Sequence, residues 1–270
     1  MDDETILGAS ERLRRRSIAA GLEIPITRND SKKVNRLRLP SRGVAKMFGS
    51  LGSAPARTLA GVCEKKLSVL GINRITSRSD NVVERCPEMV ICFIDIDNFT
   101  SYTRDLDPLE LVKMLNNYMQ TVDRLLQIFK IRKIKTIGDG YMLCTQSEKN
   151  ESISTAVTRM CDMFLFLRDL LREDASYLGG HRLTVRAGVH VGEVVAGLIG
   201  IDRVQFDIFG PAVNLTSRLE STAPAATLQV SEKVVSLCRN VYTFEKTSSF
   251  LKGFGNRTTY TVIGSARHKR

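Results

Sequence analysis

The sequence predicts an α+β domain whose core runs βαββαβ, the ferredoxin-like order of one sheet with helices packed on a face. Three observations carry that expectation. An apolar run of strand length, "MVICFIDID", ends in carboxylates. Two longer segments, "LELVKMLNNYMQTVDRLLQIF" and the stretch around "TRMCDMFLFLRDLL", repeat their apolar residues at helical spacing. Between them, "KIKTIGDGYMLC" (133–144) sets two short β-type runs about a Gly-Asp-Gly turn.

Up to residue 55 the chain is short of aromatics and punctuated by Arg, Ser, Gly and Pro, which predicts a basic, disordered tail. Residues 56–87 form a connector, where the apolar spacing in "ARTLAGVCEKKLSVLG" suits one amphipathic helix from Pro55 to Leu70, ending at Gly71. The domain proper is expected over 88–264. Its first strand ends at Asp95, and the first long helix starts with Asp107 as N-cap and Pro108 as first helical residue. After the hairpin come a second helix over 152–172 and two β-type runs, "RLTVRAGVHVG" and "EVVAGLIG". "FDIFGPAVNLTSRLES" (206–221) then joins a short strand to a helix beginning near Pro211 and opens a C-terminal strand and helix subregion. Residues 265–270 are a basic tail.

Composition narrows the function classes. The net charge of +11 is concentrated at one end: the first 86 residues hold 17 of the 40 basic residues against 9 of the 29 acidic ones. The body is nearly balanced, so no nucleic-acid partner is expected, and the sheet lacks the exposed aromatics on which RNA-recognition domains stack bases. A basic tail suits a solvated linker or a weak contact with an acidic membrane surface. No apolar run is long enough to cross a bilayer and the N-terminus lacks a signal-peptide pattern, which predicts a cytoplasmic chain or the cytosolic part of a larger membrane-associated protein. The six cysteines have neither CxxC spacing nor His partners and read as reduced, buried, small hydrophobes, with no zinc and no disulfide framework. His190, in an apolar strand, reads as packed.

Charged residues inside apolar runs point to chemistry. In a βαββαβ sheet the first strand and the hairpin can be neighbours, which brings Asp95 to Asp139 across 44 positions of sequence. Two converging carboxylates suit magnesium, which fills its other positions with water and substrate phosphates. An Asp at a turn, or a buried Asp paired with Lys, fits the same residues. Asn214 and Arg218, four apart, share one helical face.

Together, "FIDIDNFT", "KIKTIGDGYM", "FDIFGPAVNLTSRLES" and "LKGFG" resemble the catalytic domain of the class III nucleotidyl cyclases over residues 88–263, with four motifs in the family's order. The resemblance implies that Asp95 and Asp139, with the backbone carbonyl of Ile96, hold two Mg²⁺ ions per site, which Mn²⁺ can replace. It implies that Lys135 and Asp207 read the base, Asn214 orients the ribose, Arg218 stabilises charge on the α-phosphate and Lys252 grips the terminal phosphates. It further implies that Phe99 and Thr100 in the first motif face the substrate, as does Arg203 upstream of the "FD" strand, a role for which Asp202 competes.

The implied activity is conversion of ATP to 3′,5′-cyclic AMP and pyrophosphate in intracellular signal transduction. Lys135 and Asp207 match adenine's acceptor and donor, whereas members that use GTP carry Glu and Cys there. A guanylyl cyclase, or a nonenzymatic nucleotide-binding regulatory partner, is the alternative; against the latter, no carried-over catalytic position is lost. Because the family's site lies between two catalytic domains and this chain carries both halves of it, a symmetric homodimer is implied. Two departures stand out: Asn98 occupies a position often held by glycine, and "GPAVN" replaces "GDTVN" or "GNTVN". The neighbouring Asp97 is expected to face solvent.

Overall fold

Alternation along the first strand sets the two faces of the sheet. In β1 (Val83–Ile96), Met89 and Ile91 join a cluster with Met142, Cys144, Val194, Ala196, Ile208 and Ala212. Cys92 turns to the other face, beside Tyr118 and Cys161. The computed structural model describes residues 83–148, 151–173, 180–199 and 205–265. The basic tails, the expected helix over 55–70 and Arg203 lie outside the described residues.

β1 starts earlier than the sequence suggests, since 83–87 belong to it and not to a connector. Its register against its neighbour shifts between Cys86 and Met89, where Pro87 has no N–H to donate. After the one-turn helix α1 (Phe99–Tyr102) comes α2 (Pro108–Ile128), which begins where expected. The Asp107 carboxylate accepts hydrogen bonds from the Leu109 and Glu110 amides at 2.9 and 3.2 Å, satisfying N–H groups that have no partner inside the helix. Its buried residues, Met114, Tyr118, Val122, Leu125 and Leu126, form one helical stripe.

The hairpin is β2 (Arg132–Ile137) and β3 (Gly140–Thr145), and α3 (Ile153–Glu173) follows it. The next two β-type runs are one continuous strand, β4 (Val185–Ile199). Gly192 does not interrupt it. A Cβ there would lie 2.6 Å from the Ala212 side chain, so this glycine serves close packing.

The chain continues through β5 (Gln205–Phe209), α4 (Pro211–Ser221), β6 (Leu228–Val230), α5 (Glu232–Cys238), β7 (Tyr242–Leu251) and β8 (Gly255–Ser265). Strand order is β2-β3-β1-β4-β6-β8-β7, with β5 also paired to β4. The first four strands are the expected ferredoxin-like arrangement; the C-terminal strands extend it.

Helices are not confined to one face. α4 packs on the face opposite α2 and α3, so closely that a Cβ on Gly188 would lie 2.3 Å from the Glu220 backbone nitrogen. Cys86, Cys92, Cys144, Cys161 and Cys238 are buried in the core as small apolar side chains. Among the described residues no helix is long and apolar enough to cross a membrane.

Candidate active site

Pairing of β1 with β3 matches Ile94 to Tyr141, which sets the end of β1 beside the β2–β3 turn. Gly140 makes the approach close: a Cβ there would sit 2.8 Å from the Ile94 carbonyl oxygen and 3.2 Å from Asp95 Oδ1. Asp139 thereby lies against Asp95, as the sequence predicts. Burial, and after it the charges of Asp139 and Glu220, push the Asp95 carboxyl up to about 6. Asp139 Oδ2 is buried and has no hydrogen-bond partner among the described residues.

A buried acceptor without a partner beside a carboxylate reluctant to ionise is a site short of positive charge. Among the described residues no three His, Cys, Asp or Glu side chains converge on a metal position. Two carboxylates and the nearby Ile96 carbonyl are a donor set that fits Mg²⁺, which retains several water and phosphate ligands.

The positive charge that the chain itself supplies comes from Arg186, in register with Asp95 across β1 and β4. Its guanidinium donates to Asp95 Oδ2 at 2.9 Å, Asp97 Oδ1 at 3.1 Å and Glu220 Oε1 at 2.8 Å. Asp97 therefore does not face solvent; its side chain is 15% exposed and held in this cluster. Reading by sequence missed Arg186, although an arginine inside the apolar run "LTVRAGV" is the same signal that singled out Lys135. Asn98 takes the left-handed conformation (φ 55°) and donates to Asp97 Oδ2 at 2.7 Å. Asparagine tolerates that region, so the backbone keeps a shape that glycine also favours. Beyond it in α1, Phe99 is half-buried and Thr100 exposed.

Lys135 and Asp207 meet across 72 positions of sequence: Lys135 Nζ donates to Asp207 Oδ2 at 2.5 Å, while Asp207 Oδ1 accepts from the Ile208 amide at 2.9 Å. A register shift between Lys133 and Lys135 separates their partners, Lys133 pairing instead with Asp123 at 2.7 Å. Because β2 and β5 lie on opposite sides of the β3-β1-β4 block, this contact requires a curled sheet. On α4, Asn214 is exposed and Arg218 partly so, and Lys252 is exposed in the β7–β8 turn. Among the described residues no hydrogen bond or ion pair joins Asn214, Arg218 or Lys252 to the aspartate pair. His190 is packed as expected: its Nδ1 lies 2.7 Å from Ser231 Oγ, and burial, then Lys233, lowers its pKa to about 4.

The Asp95 shift sets a pH dependence. Its carboxyl binds a proton more readily folded than unfolded, where its pKa is about 3.9, so its contribution to stability falls as pH rises from about 4 to about 6. In EDTA, Asp95→Asn is expected to gain stability relative to wild type across that window in urea titrations. Identical pH slopes for the two proteins would contradict this.

Fold and site together define a class: an α+β domain whose paired carboxylates suit divalent-metal chemistry on phosphates. The chain belongs to the adenylate and guanylate cyclase catalytic domain family, whose model matches residues 82–264. It is 31% identical over 187 residues to guanylyl cyclase C of Homo sapiens, covering 67% of this chain and 17% of that protein. It is also 31% identical over 195 residues to the germination-specific adenylate cyclase of Dictyostelium discoideum, covering 71% and 22%. The chain thus spans about a fifth of the length of these curated relatives. Among solved structures, the adenylyl cyclase CyaB from P. aeruginosa superposes with a TM-score of 0.63 at 26% identity, covering 69% of this chain and 98% of that one.

Proposed function

We propose that this domain is an adenylyl cyclase, converting ATP to 3′,5′-cyclic AMP and pyrophosphate at the interface of a homodimer, with two Mg²⁺ ions per site that Mn²⁺ can replace. The observation that carries the choice of base is the Lys135–Asp207 pair. Adenine presents a ring-nitrogen acceptor and an amino donor, which an ammonium and a carboxylate complement; guanine reverses the pattern. A pair already bonded to itself yields only to a base that replaces both halves of the contact, and this penalises a mismatched base.

Asp95, Asp139 and the Ile96 carbonyl would hold the ions. When bound, these supply the charge that acidifies the ribose 3′-hydroxyl and neutralises the departing pyrophosphate. Asn214 orients the ribose so that the 3′-oxygen meets the α-phosphorus in line. Arg218 donates its planar fork to the α-phosphate, where negative charge grows in the transition state. Lys252 holds the terminal phosphates, and Phe99 and Thr100 line the substrate, a role that the family resemblance also implies for Arg203. ATP is a cytosolic substrate, so the domain works there, alone or within a larger membrane-associated protein.

The relatives include both adenylate and guanylyl cyclases, which keeps GTP as a second reading. Turnover of ATP and GTP by the purified chain with Mg²⁺ or Mn²⁺ decides between them, and preferential cyclic GMP production would replace the first reading. Lys135→Glu with Asp207→Cys is expected to shift preference from ATP toward GTP. An unchanged ATP-to-GTP ratio in that double variant would mean that these residues do not read the base.

A further inference from the structure

Four buried side-chain polar atoms lack a hydrogen-bond partner among the described residues: Tyr118 Oη, Arg132 Nη1, Asp139 Oδ2 and Arg159 Nε. Arg159 is held through its other nitrogens, which contact Thr145, Gln146, Glu148 and Glu151, and Arg132 lies beside the charge of Glu148. The remaining two are a lone donor and a lone acceptor in one neighbourhood.

Tyr118 is wholly buried on α2. Its ring meets that of Tyr141 edge-on at 6.1 Å, and Tyr141 lies two residues beyond Asp139. Tyr141 does not satisfy it: the Tyr118 hydroxyl has no partner among the described residues, and the Tyr141 hydroxyl donates to the Met119 carbonyl at 3.5 Å. The Tyr118 hydroxyl, a hydrogen-bond donor at neutral pH, lies near enough to Asp139 and Asp95 for their charges to bear on it. A phenylalanine would occupy the same helical stripe without burying an unpaired hydroxyl. The hydroxyl therefore gains nothing for the fold as it stands.

We propose that Tyr118 is a positioning residue of the metal site, its hydroxyl donating a hydrogen bond to the Asp139 carboxylate, directly or through one ordered water, when that carboxylate binds its ion. The inference rests on the metal reading of Asp95 and Asp139. A carboxylate that binds a cation through one oxygen is commonly hydrogen-bonded at the other; a donor there fixes the orientation of the ligand, and losing such a group typically lowers metal affinity about 10- to 100-fold. The hydroxyl's partner thus belongs to the loaded state.

The test is Tyr118→Phe, studied without substrate. Mn²⁺ binding is followed by the electron paramagnetic resonance signal of free Mn²⁺, and thermal unfolding is measured in EDTA. The expected result is Mn²⁺ affinity weakened about 10-fold or more, with an unfolding temperature in EDTA that is unchanged or higher. Unchanged Mn²⁺ affinity overturns the proposal, as does a lower unfolding temperature in EDTA, which would make the hydroxyl structural. Asp139→Ala, run alongside, separates the two levels. If it binds Mn²⁺ as wild type does, the metal reading is wrong and the proposal falls with it; if it loses binding while Tyr118→Phe keeps it, only the role of Tyr118 falls.

Discussion

Asp95→Ala and Asp139→Ala are each expected to abolish cyclase turnover while leaving a folded chain. On the two-metal proposal, removing either carboxylate takes away one of the two side-chain metal ligands, which would leave the phosphate charge unneutralised and the 3′-hydroxyl unactivated. Metal-ion terms of this kind are worth several kcal/mol, and each 1.36 kcal/mol is tenfold in rate. The fold should tolerate both changes. Asp139 Oδ2 makes no hydrogen bond among the described residues, so alanine there removes a buried acceptor without breaking a bond at that atom. Asp95→Ala does free one arm of Arg186, but Asp97 and Glu220 still hold that guanidinium. Steady-state rates at saturating Mg²⁺ and ATP, with circular dichroism to verify folding, check the expectation; more than about a tenth of wild-type activity in either variant would contradict the two-metal account.

The parts of this site legible in the sequence are those where local chemistry is unusual. Asp107 before Pro108 announces the start of α2, and a lone aspartate between two glycines in an apolar hairpin announces Asp139. The meeting of Asp139 with Asp95 follows from the pairing of the first strand with the hairpin, which Gly140 allows to be close. The cluster around Arg186 was less accessible, because it depends on the register of β1 against β4 and on α4 lying on the far face, where Glu220 reaches Arg186. Register is a tertiary property that a period-2 pattern leaves open. Asp97 looked like a surface charge for the same reason. The two β-type runs that meet at Gly192 are one strand, and the absence of its Cβ answers to Ala212 on α4, a residue distant in sequence. Tyr118 was hidden differently: in a helical stripe a tyrosine counts as one more core residue, and only its unpaired hydroxyl sets it apart.

Arg218→Ala is expected to be as damaging as loss of an aspartate, for a separate reason: removing one donor aimed at transition-state charge costs about 10²- to 10³-fold. The two defects are predicted to sit on different chains of each active site. Mixing Asp139→Ala chains with Arg218→Ala chains tests this central claim most directly. In a heterodimer both defects fall in one cleft and the other cleft is intact. Random re-pairing makes about half the dimers mixed, each with one good site of two, so about a quarter of wild-type activity should return. If the mixture stays inactive although subunit exchange is demonstrated, the site does not span two chains and the homodimer account is wrong.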